Sequence, residues 1–129
     1  MSGNSLDMVI GAGSAIGRAL IERWSREGSR PVVAVARSEA SLAAVGAPGV
    51  QTQHCDYSEA ALATFAAQLQ ERTADITRLV ICNGVLQGEG YRPERALNQL
   101  TTNAMEQVFE VNTFLPMRVL ASLAPVLKR

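Results

Sequence analysis

Four short apolar runs, at residues 6–10, 31–37, 50–55 and 78–82, alternate with stretches whose apolar side chains recur at helical spacing. Runs such as "PVVAVAR" are rich in β-branched and small residues, as strands covered on both faces are. The first helical stretch, 15–27, carries Ile16, Ala19, Leu20 and Trp24 at helical spacing and stops at Gly28. A short Ala-rich helix at 38–45 ends in Gly46-Ala47-Pro48-Gly49. "DYSEAALATFAAQLQER" has an acidic first turn and places Leu62, Phe65, Ala66 and Leu69 on one face. Residues 84–95 read as a loop rich in glycine and charge, and helical stretches at 101–111 and 113–127 follow. Strand and helix thus alternate with short connections, which predicts an α/β fold with a doubly wound parallel sheet. Right-handed crossovers and a reversal after the third strand give about four strands in the order 3-2-1-4.

A sheet of this kind binds ligands outside the carboxyl ends of its strands, where the strand order reverses. The turn after the first strand lies there, and it reads "VIGAGSAIGR". Gly11 would permit a tight turn, Gly13 would let the backbone approach a phosphate, and Gly17 would let the helix pack closely. Amide groups at the helix start, with the positive end of its dipole, suit a pyrophosphate. The spacing G-x-G-x-x-x-G is one residue longer than the commoner dinucleotide pattern, so an S-adenosylmethionine site stays open at this point. Such a site wants a carboxylate at the end of the second strand, to hold ribose hydroxyls. Arg37 stands there instead, with Ser38 behind it. An arginine cannot accept from a 2′-hydroxyl but can grip a 2′-phosphate, which favours NADP over NAD.

The rest of the composition mainly excludes. The twelve basic and twelve acidic residues cancel, leaving no global field to recruit nucleic acid or an anionic membrane. No apolar run is long enough for a membrane span, and no secretory leader is readable. Cys55 and Cys82 have no metal-type partners nearby and read as buried, reduced thiols of a cytoplasmic protein. His54, a lone histidine near a strand end, reads as structural. No metal site is expected.

With these residues in place, the chain resembles the short-chain dehydrogenase/reductase family, and most of all its C-factor-like members. "GAGSAIGRAL" is similar to the family's T-G-x-x-x-G-x-G turn, with Ile10 in place of threonine and Ala15 in place of the middle glycine. Asp56 in "CDYS" matches the aspartate that hydrogen-bonds the adenine amino group, and it also suits a helix N-cap one turn early. "ICNG" replaces the family's N-N-A-G: Gly84 matches, while Cys82 stands where asparagine is expected. "VLQGEGYRPERAL" resembles the loop after the fourth strand in C-factor-like proteins, and "FEVNTFLP" matches V-N-x-x-x-P. Asn112 then falls on the asparagine that kinks the helix and holds a water of the catalytic proton relay. The resemblance implies a single Rossmann-type NADP-binding domain over residues 1–129. Its cofactor contacts would be Gly11, Gly13, Ser14, Ala15, Ile16, Gly17, Arg37, Ser38, Asp56, Tyr57, Asn83 and Gly84.

Family members also carry a catalytic serine on a fifth strand and then Tyr-x-x-x-Lys. Neither tyrosine here has that partner, because Ala61 lies four residues after Tyr57 and Arg95 four after Tyr91. One reading is therefore the nucleotide-binding part of an NADP-dependent oxidoreductase acting on a carbonyl or alcohol, cut before strand five. The other is a nucleotide-binding or interaction module without dehydrogenase activity. Two expectations favour the first. The fourth strand, "LVIC", would be an edge without charge or proline to blunt it. The apolar face of the last helix, with Leu115, Val119, Leu123 and Val126, would lack cover unless a second copy paired with it.

Overall fold

The computed structural model describes residues 5–73, 75–86 and 88–127. Strands β1 (Ser5–Ile10), β2 (Val32–Ala36), β3 (Val50–His54) and β4 (Asp75–Ile81) form one four-stranded sheet in the order β3-β2-β1-β4. All three pairings are parallel, with Ile10 in register with both Val35 and Ile81. The predicted α/β class, parallel sheet and strand order therefore hold.

Helices cover both faces. α1 (Ala15–Glu27) and α2 (Glu39–Ala43) pack on one side; α3 (Glu59–Glu71) and α5 (Leu115–Leu123) pack on the other. The two-residue period of a strand divides the core between them. Val33 and Val35 of β2 join Leu62, Phe65 and Leu69 of α3, as the helical spacing of α3 predicts. Val32, Ala34 and Ala36 join Ile21, Trp24 and Leu42. In α1 the buried stripe is Gly17, Ile21 and Trp24, whereas Ile16 is 70% exposed. Of the four apolar residues at helical spacing only Trp24 is buried, and Gly17 packs closely as expected of it.

The end of the chain differs more. α4 (Thr102–Phe109) does not break before α5; a π-helical turn, Glu110–Phe114, joins them into one continuous rod. Pro116 explains the wide turn: it has no N–H to bond the carbonyl of Asn112, and its ring would crowd that carbonyl in a regular helix. Beyond a short 3₁₀ turn, Ala124–Val126, Leu127 forms a parallel bridge to Ile76 along the outer edge of β4. Leu115, Val119, Leu123 and Val126 are buried against α3 and the sheet. The expectation that this face lacks cover is thus corrected: α3 covers it. The exposed apolar stripe of the rod is instead Met105, Phe109, Phe114, Met117 and Leu120.

At the amino ends of the strands, Asp7 is the one buried charged side chain among the described residues. Its carboxylate accepts from Arg30 Nε at 3.1 Å and from Arg78 Nη2 at 2.6 Å. Arg78 also reaches Glu27 at 3.1 Å and lies 4.2 Å over the Trp24 ring. Burial alone would raise the Asp7 carboxyl, but the two guanidinium groups outweigh it and hold the pKa below the usual carboxylate value. A carboxyl held low when folded stabilises the protein fully above its unfolded pKa, about 3.9, and loses that contribution as pH falls through the folded value. Asp7→Asn should therefore cost about 2 kcal/mol at neutral pH, because Arg30 loses its counter-ion and Arg78 keeps only Glu27. Denaturant titrations should show that gap shrinking as pH drops below about 4.

Candidate functional site

The site begins where β1 ends. Gly11 has φ +79°, and a Cβ there would lie 2.8 Å from the Asn83 amide nitrogen. The Gly11 N–H is shared between the Val35 carbonyl at 3.0 Å and the Tyr57 hydroxyl oxygen at 3.2 Å. Two positions on, a Cβ at Gly13 would meet Ser41 Oγ at 2.6 Å, so α2 closes over that side of the turn. At Gly17 a Cβ would strike the Gly11 carbonyl at 2.7 Å, which is the close helix packing expected of it.

Ser14 caps α1, its hydroxyl accepting the Gly17 N–H at 2.9 Å. The amides of Ala15 and Ile16, the first two helical residues, have no partner within the helix. Unlike α2 and α3, which carry Glu39 and Glu59 in their first turns, α1 has no acidic residue there. Its positive end is left for an anion from outside the chain.

A cavity of about 430 Å³ opens over this turn. It brings together Gly11, Gly13, Ser14, Arg37, Ser38, Tyr57, Asn83 and Gly84 of the predicted residues. Ala15, Ile16 and Gly17 sit beside it on the helix start, and Asp56 and Asn112 lie outside its lining. Arg37 is exposed, and among the described residues no carboxylate forms an ion pair with it. Ser38 caps α2 by accepting the Ser41 N–H at 3.3 Å. Asp56 turns the chain into α3, accepting the Ser58 N–H at 2.9 Å. That bond and one from the Ser58 hydroxyl hold its carboxyl below the usual value. Asn83 Oδ1 is buried at the turn without a hydrogen-bond partner.

Tyr57 is buried to 1% exposure, so its ring lies beneath the turn. Burial pushes its phenol up, against hydrogen bonds from the Asn83 side chain and the Gly11 amide. Where the family's asparagine is missing, the Cys82 N–H donates to the Ile10 carbonyl at 2.7 Å, and the thiol pairs with Ser14. Burial, only partly offset by that pairing, raises the Cys82 thiol; burial likewise raises Cys55. Both cysteines are free. His54 is exposed at the end of β3. No cluster of metal-ligating side chains occurs among the described residues.

Asn112 lies in the π-turn, and its amide is committed at both ends. Oδ1 accepts the Val85 N–H at 2.7 Å and Nδ2 donates to the Val85 carbonyl at 2.8 Å. It thereby pins the start of the loop after β4, next to Gly84. Sequence reasoning missed Ser41 and Arg118. Arg118 Nε donates to the Tyr57 carbonyl at 3.0 Å, and its Nη2 pairs with Glu110. Such contacts over sixty residues of chain leave no local signature.

A strand, glycine turn and helix under a cavity at the point where strand order reverses define a dinucleotide-binding type of fold. The chain belongs to the short-chain dehydrogenase family, whose model, "short chain dehydrogenase", matches residues 7–129. No curated protein sequence matches it. Among solved structures it is similar to a carbonyl reductase from Pseudomonas aeruginosa PAO1, at 20% identity, TM-score 0.77, with 97% of this chain and 57% of that one covered. The F189W actinorhodin polyketide ketoreductase solved with NADPH matches at 24% identity, TM-score 0.77, over 95% of this chain and 47% of that one. A short-chain dehydrogenase from Streptomyces avermitilis matches at 24% identity, TM-score 0.73, over 94% and 44%. The chain thus spans about half the length of the structures it matches.

Asn112→Ala should free the loop it pins. Hydrogen exchange at the Val85 amide is expected to speed up by about fivefold, the net worth of one hydrogen bond, while β1 and β2 amides keep their protection.

Proposed function

We propose that the chain is the NADP-binding part of a short-chain oxidoreductase that moves a hydride between NADPH and a small carbonyl or alcohol. The observation that carries the reading is Arg37, a cation without an ion pair among the described residues, lining the same cavity as the glycine turn. An acidic residue at the end of β2 would select the free ribose of NAD, whereas arginine selects a 2′-phosphate. The residues fit the group. The amides at the start of α1 face no internal acid, and a Cβ at Gly11, Gly13 or Gly17 would collide with the fold. The matched ketoreductase, solved with NADPH, supports the same cofactor.

In this reading the amides of Gly13, Ala15 and Ile16 receive the pyrophosphate beside Ser14, whose own amide bonds the Gly11 carbonyl, and Arg37 and Ser38 receive the 2′-phosphate. Asp56, kept ionised by its Ser58 bonds, accepts from the adenine amino group. Asn83 and Gly84 border the far side of the cavity. Bound NADPH would supply the hydride. Asn112 would serve the proton relay, but no Tyr-x-x-x-Lys occurs in these 129 residues. The alternative reading is a nucleotide-binding or interaction module without dehydrogenase activity.

The compartment is proposed to be the cytoplasm, on the strength of two free cysteines. No helix among the described residues is long and apolar enough to cross a membrane. No nucleic-acid or membrane partner is proposed. A second copy is proposed to pack on the exposed stripe of the α4–α5 rod, where Phe109, Phe114 and Met117 are each more than half exposed. Met117→Glu should then shift the protein from dimer to monomer in light scattering; a monomeric unmutated protein refutes the pairing.

Titration of both cofactors should show NADPH binding at least about tenfold tighter than NADH, the worth of a charge-assisted contact. Arg37→Ala should erase the difference. Equal affinities before mutation would overturn the assignment.

A further inference from the structure

Tyr57 is an anomaly in both backbone and side chain. Its φ is +63°, a left-handed conformation that bulky residues rarely adopt. Side chains hold both of its backbone polar groups: its N–H donates to Cys55 Sγ at 3.4 Å, and its carbonyl accepts from Arg118 Nε at 3.0 Å. Arg118 is itself fixed by Glu110 on the π-turn. The result of this bracing is to drive the ring inward under the sheet's carboxyl end. There the hydroxyl accepts the Gly11 N–H at 3.2 Å and donates to the Val35 carbonyl at 3.1 Å.

Those two partners are not arbitrary. Gly11 opens the phosphate-binding turn, and the Val35 carbonyl also takes the Gly11 and Ala12 amides. A single hydroxyl therefore ties the first peptide of the turn to the neighbouring strand. At 1% exposure the phenol presents almost no surface to the cavity above it, and its bonds run to the turn and to β2. Helix packing does not need the hydroxyl either, since the ring already sits among Leu62, Phe65 and Leu115 in the core.

We infer that Tyr57 is a positioning residue for the phosphate bed, acting through the Gly11 peptide, and that Arg118 holds it in place from α5. The inference rests on the nucleotide-binding reading. It makes the rod that carries Asn112 a brace for the far side of the cofactor site as well. Because the hydroxyl holds the first peptide of the turn and touches neither Arg37 nor Ser38, its loss should weaken ligands that use the pyrophosphate bed and spare those held by Arg37 and Ser38.

The test is calorimetric titration of the protein with NADP⁺ and with adenosine 2′-phosphate, which lacks a pyrophosphate. Tyr57→Phe should raise the Kd for NADP⁺ by about tenfold, the scale of one hydrogen bond, and move that for adenosine 2′-phosphate by less than about twofold. An equal loss on both ligands would mark a general structural defect and overturn the inference, as would an unchanged Kd for NADP⁺. Arg118→Met provides the second arm: NADP⁺ affinity should fall by about fivefold, and Arg118→Lys, which keeps a donor for the Tyr57 carbonyl, should restore most of it. Unchanged affinity in Arg118→Met, or no recovery in Arg118→Lys, removes Arg118 from the brace. If the unmutated protein binds neither ligand, the nucleotide reading fails; binding by it with indifferent variants sinks only the positioning role.

Discussion

The shared hydrogen bond of the Gly11 amide is the constraint from which the rest of the site follows. One N–H reaches the Val35 carbonyl of β2 and the Tyr57 hydroxyl from the segment between β3 and α3. The same residue packs against the Asn83 backbone just beyond β4. The carboxyl ends of all four strands are thereby referred to a single peptide. The left-handed φ would cost a residue with a Cβ about 1–2 kcal/mol, comparable to or larger than the net gain from one neutral hydrogen bond. Only glycine satisfies both demands, and from that bend the chain enters α1 with its first amides unspent.

The opposite ends of the strands follow a different logic. There Asp7, Arg30, Arg78, Glu27 and Trp24 form a closed cluster whose charges answer one another. A buried carboxylate is unfavourable by itself, and two guanidinium groups change the sign for the folded state. Charges at this pole are satisfied within the chain, whereas at the carboxyl pole Arg37 and the α1 dipole are not. Parallel sheets commonly divide ligand binding and structural support in this way.

How much of this could be read from the sequence depends on the range of the interactions involved. The strand order, the bounds of α1 and the buried face of α3 were legible, because period, caps and glycine stops are local signals. The last helix was read as the uncovered face since its apolar spacing gives a stripe but not its partner; α3 supplies that partner from fifty residues away. The apolar spacing of α1 does not say which of its residues faces the sheet, and Ile16 stays 70% exposed while Gly17 is buried. Within the site, the glycines and Arg37 could be located by sequence. The work of Tyr57 could not, since it depends on bonds to Gly11 and Arg118 that bridge 46 and 61 positions.

The π-turn joins these two scales. Pro116 withdraws the donor that a regular helix would offer to the Asn112 carbonyl, and the backbone widens between Glu110 and Phe114 to accommodate it. The Asn112 side chain is meanwhile occupied, with both ends of its amide bonded to Val85. A polar group that is already paired is a poor partner for a passing water, because each new bond must displace an old one. The Asn112 side chain instead keeps the loop after β4 in place. A substitution by aspartate or alanine would then act mainly by releasing Val85, and the residue type that family resemblance singles out is needed here for position.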